Sequence, residues 1–180
     1  MKRLGIITAF ALLLLALTAS AASAAVAPGT YGPNAGSFNS ANAPGSSHLT
    51  SGSPSCTVNP DLSIDCSAYV LGGVGHTNAD VSLSANYSAT INCTNHGGNL
   101  VEVHSTTFST NSGGTLTSSK NGQLSVPAVS AQPFSAPQVC PNPNWTPSIE
   151  PGDLNLNFFT YTLTFEGFSS PYITIAATDP

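Results

Sequence analysis

The stretch VSLSANYSATINC, residues 81–93, decides the fold class of this chain. Apolar side chains and the final cysteine occupy its odd positions, and Ser, Asn or Thr occupies every even position. Because successive side chains of a strand point to opposite faces, this alternation predicts a β-strand with one buried face and one polar face. Strands with one solvated face are typical of antiparallel sheets.

A second alternating stretch covers residues 154–165, and turn signals rich in Gly and Asn separate several shorter strand-like segments, such as those at 95–99 and 111–114. No segment has a helical period. The pattern predicts an all-β fold, an antiparallel, immunoglobulin-like β-sandwich of about seven to nine strands. In the second stretch, the alternation assigns one face to Asn155, Asn157, Phe159, Tyr161, Leu163 and Phe165, and the other face to Leu154, Leu156, Phe158, Thr160, Thr162 and Thr164.

Residues 1–24 are typical of a secretory signal peptide, since Lys2 and Arg3 precede an apolar run and Ala-Ser-Ala at 22–24 matches a cleavage site. Residues 25–54 carry no Asp, Glu, Lys or Arg and are rich in Ala, Pro, Gly and Ser, which predicts a flexible leader. We therefore expect a secreted, extracellular protein whose β-sandwich domain occupies residues 55–180.

After removal of such a signal peptide, the chain keeps a single lysine, Lys120, and no arginine; with eight acidic residues its formal charge is −7. Nucleic-acid binding needs several cations per site, and an anionic membrane surface repels an acidic protein, so neither partner is expected. Solubility must come from Ser, Thr and Asn, which suits a neutral partner such as a cell-wall or extracellular polysaccharide. The sequence does not indicate an oligomeric state.

Four cysteines in an exported chain predict two disulfides. Residues 56–66 form a candidate hairpin, because an Asn-Pro-Asp turn signal separates two strand-like arms. Three pairings are open. We favour the local bridge Cys56–Cys66 together with Cys93–Cys140, which joins the alternating strand to a proline-rich segment.

The segments CTNHGGN at 93–99 and CPNPNWT at 140–146 resemble CTNxGGN and CPNxNWT segments of uncharacterised small, secreted, β-rich bacterial proteins. The resemblance covers roughly residues 55–165. It implies export, disulfides and a β-sandwich, and it places the two cysteine motifs together. It implies no particular activity.

The aromatic residues that follow Cys140 are the candidate binding groups. If exposed on one face, Trp145, Tyr161 and Tyr172 would form a glycan-binding surface, since aromatic rings combine an apolar body with polar atoms. The alternative is that Trp145 packs in the core against the Cys93–Cys140 bridge, as tryptophan does in immunoglobulin-type domains.

Catalytic and metal sites are not indicated. The Ser112-Gly-Gly segment lacks the rest of a serine-protease pattern, and His104 is expected on the solvated side of its strand. A zinc site from His76, Asp80 and His96 is conceivable but lacks helical ligand spacing. We predict a structural or cell-envelope-associated protein with no enzymatic activity, cofactor or metal, and a carbohydrate-binding module is the alternative.

Overall fold

The computed structural model describes residues 25–178; the expected signal peptide at 1–24 lies outside the described residues. In this part of the chain there is a short 3-10 turn, Ser40–Asn42, and no α-helix, so no helix is long and apolar enough to cross a membrane. Residues 25–178 form twelve strands, more than the seven to nine predicted. They are β1 (Gly29–Tyr31), β2 (His48–Gly52), β3 (Cys56–Val58), β4 (Ile64–Cys66), β5 (Tyr69–Gly72), β6 (Ala79–Thr94), β7 (Leu100–Leu116), β8 (Leu124–Val126), β9 (Val129–Ala131), β10 (Thr146–Ile149), β11 (Asn155–Phe165) and β12 (Ile173–Thr178).

The largest sheet has five strands and is built around β6, and we call it the large sheet. On one side β6 pairs with β7 along its whole length. On the other side its first part pairs with β11, which pairs with β12, and its last part pairs with β10. All of these pairs are antiparallel, as the alternating sequence predicts.

Two smaller antiparallel sheets complete the fold, in the orders β1-β3-β4-β9 and β2-β5-β8. Buried side chains of all three sheets belong to one hydrophobic cluster. Tyr69 of β5 and Tyr161 of β11 join two of the sheets, because their hydroxyl groups form a buried 2.9 Å hydrogen bond. The large sheet and the two smaller sheets therefore share one hydrophobic core.

Residues 25–54 belong to the packed structure and do not form the flexible leader that the composition predicted. β1 pairs with β3, and β2 pairs with β5. Val26 and Ala43 are buried in the core. Backbone hydrogen bonds to existing strands order this segment, and such bonds need little from the side chains.

The Ser-Gly-Gly segment at 112–114, predicted as a turn, continues β7 as far as Leu116. Gly113 lies opposite Ser82 with a φ of 130°, and a Cβ atom there would stand 2.1 Å from the carbonyl oxygen of Val81. Glycine thus permits a close approach of two strand backbones at this position, and the chain does not reverse there.

Both disulfides form with the favoured pairing, Cys56–Cys66 and Cys93–Cys140. Cys56 lies directly opposite Cys66, as the hairpin prediction requires. Cys93 and Cys140 are buried at the far end of β6, outside the main hydrophobic cluster. The second bridge therefore fixes the end of the β6–β7 hairpin where the main core does not reach.

Candidate functional site

The two faces of β6 differ completely in chemistry. Its odd-numbered side chains are buried, and its even-numbered ones are partly or fully exposed from Asp80 to Thr94. Residues of β7 and β11 that lie directly opposite the even-numbered residues of β6 point to the same, exposed side of the sheet. We call the exposed surface of the large sheet the outer face.

A register shift in β11 changes which side chains reach the outer face. Leu156 lies opposite Tyr87, and Phe158 lies opposite Asn86, so Asn157 is the extra residue of a β-bulge. Leu156 is buried, whereas Asn157 bonds to outer-face side chains of β6. The strict alternation predicted for residues 154–165 is therefore wrong before Phe158, because the bulge resets the facing of the strand.

Phe158 is the exposed aromatic ring of this surface. Its exposed fraction is 41%, while the next residue, Phe159, is fully buried. Phe158 lies between Asn86 of β6 and Thr178 of β12. A large apolar ring thus stands near the middle of a polar sheet face.

The outer face is a regular array of hydroxyl and amide groups. Neighbouring positions lie about 4.8 Å apart across strands and about 6.8 Å apart along them, by the geometry of a pleated sheet. The array comprises Ser82, Ser84, Asn86, Ser88, Thr90 and Asn92 on β6, Ser105, Thr107, Ser109 and Asn111 on β7, Thr160, Thr162 and Thr164 on β11, and Thr174 and Thr178 on β12.

Amide side chains beside Phe158 are held in fixed orientations. Asn157 Nδ2 donates to Asn86 Oδ1 at 2.8 Å, and Asn86 Nδ2 donates to Ser109 Oγ at 3.0 Å. Ser88 Oγ donates to Asn157 Oδ1 at 2.8 Å. Because each carbonyl oxygen has a second lone pair and each NH₂ a second proton, these groups retain hydrogen-bonding capacity for a ligand.

Carboxylates are confined to the margins of the outer face. At one end Asp80 accepts a 2.6 Å hydrogen bond from Thr115 Oγ1. At the other end Asp153 accepts a 2.8 Å bond from the Thr90 N–H, and Glu150 accepts one from Asn92 Nδ2. Lys120 is the single Lys or Arg among residues 25–178, and it follows β7 in a turn. The middle of the face carries no formal charge.

The aromatic surface predicted from the sequence does not form, because Tyr161 and Tyr172 are buried, with exposed fractions of 1% and 2%. Burial raises the pKa of both phenols. Their hydroxyls bond inside the protein, Tyr161 to Tyr69 and Tyr172 to the Ser47 carbonyl. Tyr161 lies at a buried position of β11, and Tyr172 lies in the turn directly before β12, so both side chains face the core. Trp145, at the start of β10, is partly buried.

The histidines do not gather with other ligands. Among residues 25–178 no group of three His, Cys, Asp or Glu side chains is placed to hold a metal ion. His104 lies on the inner side of β7, opposite Ile91, and not on the solvated side as predicted. A groove of about 290 Å³ contains Asp80 and Glu166, both exposed at the surface.

Sequence inspection missed Phe158 because strict alternation placed it with the threonines and gave it no separate role. The sequence did contain a signal. Strict alternation places the polar residues at 155 and 157 on the same face as the apolar residues from 159 to 165, so that face mixes polar and apolar side chains. Searches of protein-family models, curated proteins and solved structures found no match for the chain.

Proposed function

We propose that this protein is an exported structural module of the cell envelope that binds a neutral polysaccharide through its outer face. The observation that carries the proposal is the exposed Phe158 ring within an uncharged field of oriented amide and hydroxyl groups. We further propose that the protein is not an enzyme and requires no cofactor.

The chemistry of the outer face matches that of a sugar chain. A pyranose ring offers an apolar face of C–H groups, which packs against an aromatic ring, and a rim of hydroxyls, which exchange hydrogen bonds with amides and hydroxyls. Asn86 and Asn157 stand beside Phe158 and supply donors and acceptors. The lack of Lys and Arg in the array gives no means of holding an anionic polymer.

Export is supported by the two disulfides and by the expected signal peptide at residues 1–24. An immunoglobulin-like sandwich is the arrangement we propose for the sheets, with the large sheet opposite the smaller ones across the shared core. In such a module the buried core stabilises the fold, and the outer face is available to bind the polysaccharide.

The test is co-sedimentation of the purified protein with insoluble polysaccharides, namely cellulose, chitin and delipidated cell walls, beside the variant Phe158→Ala. We expect retention on at least one neutral polymer and its loss in the variant. The matched control is Leu49→Ala, since Leu49 of β2 has a similar exposed fraction, 37% against 41% for Phe158, but lies outside the large sheet.

Thermal melting of both variants checks that the fold persists. Failure of the wild type to bind any neutral polymer would contradict the proposal, and so would equal retention of wild type and Phe158→Ala. Loss of retention in Trp145→Ala alone would place the site at the start of β10 and away from the outer face. Release of soluble sugars during incubation would overturn the non-enzymatic part.

A further inference from the structure

Two edge strands of the large sheet, β12 and β7, differ in how far their free sides are covered. The free side of β12 is covered by residues 34–38. The Asn34 N–H donates to the Thr174 carbonyl at 2.8 Å, Asn34 Oδ1 accepts from the Ala176 N–H at 3.0 Å, and Ser37 Oγ accepts from the Thr174 N–H at 3.1 Å. This edge is therefore closed to another strand.

The opposite edge, β7, is open. β7 pairs with β6 alone, and within residues 25–178 no backbone hydrogen bond joins its other side to a further segment. The middle of β7 contacts the segment after β9, where the rings of Phe108 and Phe134 lie 4.1 Å apart, and in its C-terminal part Ser112 Oγ donates to the Ser130 carbonyl of β9. The part from Leu100 to Thr106 is left with unpaired N–H and C=O groups along one side.

This edge has little protection against pairing: its two protective features are a register shift between Leu100 and Glu102 and the carboxylate of Glu102 on the inner face. Proteins usually protect long edges with Lys, Pro or a covering segment, and residues 100–106 contain neither residue type. Three apolar side chains are instead exposed there, Leu100 at 57%, Val101 at 43% and Val103 at 53%. Leu100 and Val103 lie opposite Thr94 and Asn92, so they belong to the outer face.

We propose that the N-terminal half of β7 pairs antiparallel with the same segment of a second copy of this chain, in a register centred on Val103. In this register Val103 faces Val103 of the second copy, and Glu102 faces its His104 twice, once on each side of the axis. The pairing covers residues 100–106 of each copy.

The pairing of carboxylate with imidazole selects this register from its neighbours. Glu102 and His104 lie on the same face of β7, and His104 Nε2 is 3.3 Å from Glu102 Oε1. Centring on Glu102 or on His104 would place like residues opposite each other, whereas centring on Val103 pairs each carboxylate with an imidazole. His104 Nε2 is buried in the single chain and forms no hydrogen bond of good geometry with Glu102, so pairing with the second copy requires the imidazole to turn toward the carboxylate of that copy.

Such a pair has a two-fold axis perpendicular to the sheet, and it closes as a dimer. Directly opposite residues of an antiparallel pair share a face, so both outer faces look to the same side. The dimer would place the two outer faces side by side, and two linked sites bind a polymer more strongly than one. The pairing itself does not depend on polysaccharide binding.

The test is sedimentation velocity of the purified protein over a concentration series, with Val103→Lys and, as the matched control, Ser82→Lys. Both add one lysine to the outer face, but Ser82 lies on the central strand β6. We expect a wild-type dimer, a dissociation constant raised at least about ten-fold by Val103→Lys, and no change with Ser82→Lys.

Exchanging the residues at positions 102 and 104 tests the register, and it does not rely on the folding of a single variant. His104→Glu alone should weaken the dimer, and Glu102→His combined with His104→Glu should restore it. Amide hydrogen exchange at residues 100–106 should slow with rising protein concentration. A wild type that stays monomeric to its solubility limit would overturn the proposal, as would a dimer that is indifferent to both Val103→Lys and His104→Glu.

Discussion

Phe158 and Phe159 are consecutive residues of β11, and they show how differently the two faces of one sheet are used. Phe159 is fully buried and meets Tyr31 edge-on, with ring centroids 5.4 Å apart. Phe158 stands exposed among hydroxyls and amides. Packing specifies the inner face, whereas the outer face contributes little to the core and is available for recognition.

The largest expected effect compares these two rings. Phe159→Ala should lower the free energy of unfolding by about 3–5 kcal/mol, since it leaves a cavity in a close-packed core. Phe158→Ala should cost less than about 1 kcal/mol, because its ring is already in water over much of its surface. Urea unfolding with the disulfides intact measures both. Similar losses in the two variants would contradict the division of the sheet into a face that packs in the core and a face that is open to solvent.

The two disulfides differ in where they lie relative to the core. Cys56–Cys66 belongs to the main hydrophobic cluster, whereas Cys93–Cys140 lies beyond it at the end of the inner face. Replacing Cys93 and Cys140 together by Ala should cost up to about 4 kcal/mol, against about 3 for Cys56 and Cys66, because the closed loop is longer. Their sequence separations are 47 and 10 residues. Urea unfolding of the two double variants measures both costs.

Local opening should distinguish the two bridges further. Amide exchange at residues 89–94 should rise when the Cys93–Cys140 bridge is removed and should not rise when the Cys56–Cys66 bridge is removed. Equal exchange in the two double variants would show that the long bridge does not hold the end of the hairpin.

Alkaline pH acts on the core, because the buried tyrosines lie there and the outer-face array contains no tyrosine. Burial, with a smaller contribution from Asp61, raises the pKa of Tyr87 to about 12 from an ordinary value of 10.0. Burial also raises the pKa of Tyr69 and of Tyr161. A raised pKa in the folded state favours folding below pH 10 and loses that contribution as the pH climbs through the folded value.

We therefore expect the urea midpoint to be steady near pH 8 and to fall between about pH 10 and pH 12. Tyr87→Phe should unfold more easily at pH 8, by about 1 kcal/mol, because it loses the 3.0 Å bond to the Leu62 carbonyl. Its midpoint should then fall less steeply above pH 10. A wild-type midpoint that is flat to pH 12 would be incompatible with these buried phenols.

Much of the fold was predictable where side chains alternate. The facing of β6 follows directly from VSLSANYSATINC, and the hairpin predicted for residues 56–66, with its Cys56–Cys66 bridge, agrees with the structure. These elements bury one face against the core, so their sequences record it. β1 and β2 were missed because short edge strands bind mainly through backbone groups, which every residue has.

The candidate site was less predictable, and a single residue explains why. The bulge at Asn157 moves the buried and exposed sets of β11 by one position, and a strictly alternating pattern cannot represent that insertion. The glycan-binding role was therefore assigned to Tyr161 and Tyr172, which are core residues, and Phe158 was overlooked. The open edge of β7 was also invisible, since it depends on which strand has no neighbour.

The smallest effect concerns the amides around Phe158, and it separates recognition from stability most finely. Asn86→Ala removes the bonds to Ser109 and Asn157 and should cost about 1 kcal/mol of stability or less, because these groups rebond to water. If Asn86 also holds a sugar hydroxyl, a loss of about 1 kcal/mol of binding would weaken affinity about five-fold. Asn99→Ala is the control, since Asn99 lies in the turn before β7, outside the outer-face array, and its side chain makes no hydrogen bond among the described residues. Binding isotherms on the retained polymer should separate the two variants even where their melting temperatures agree. Equal affinities would mean that the amide network only orders the sheet surface and that recognition rests on the Phe158 ring alone.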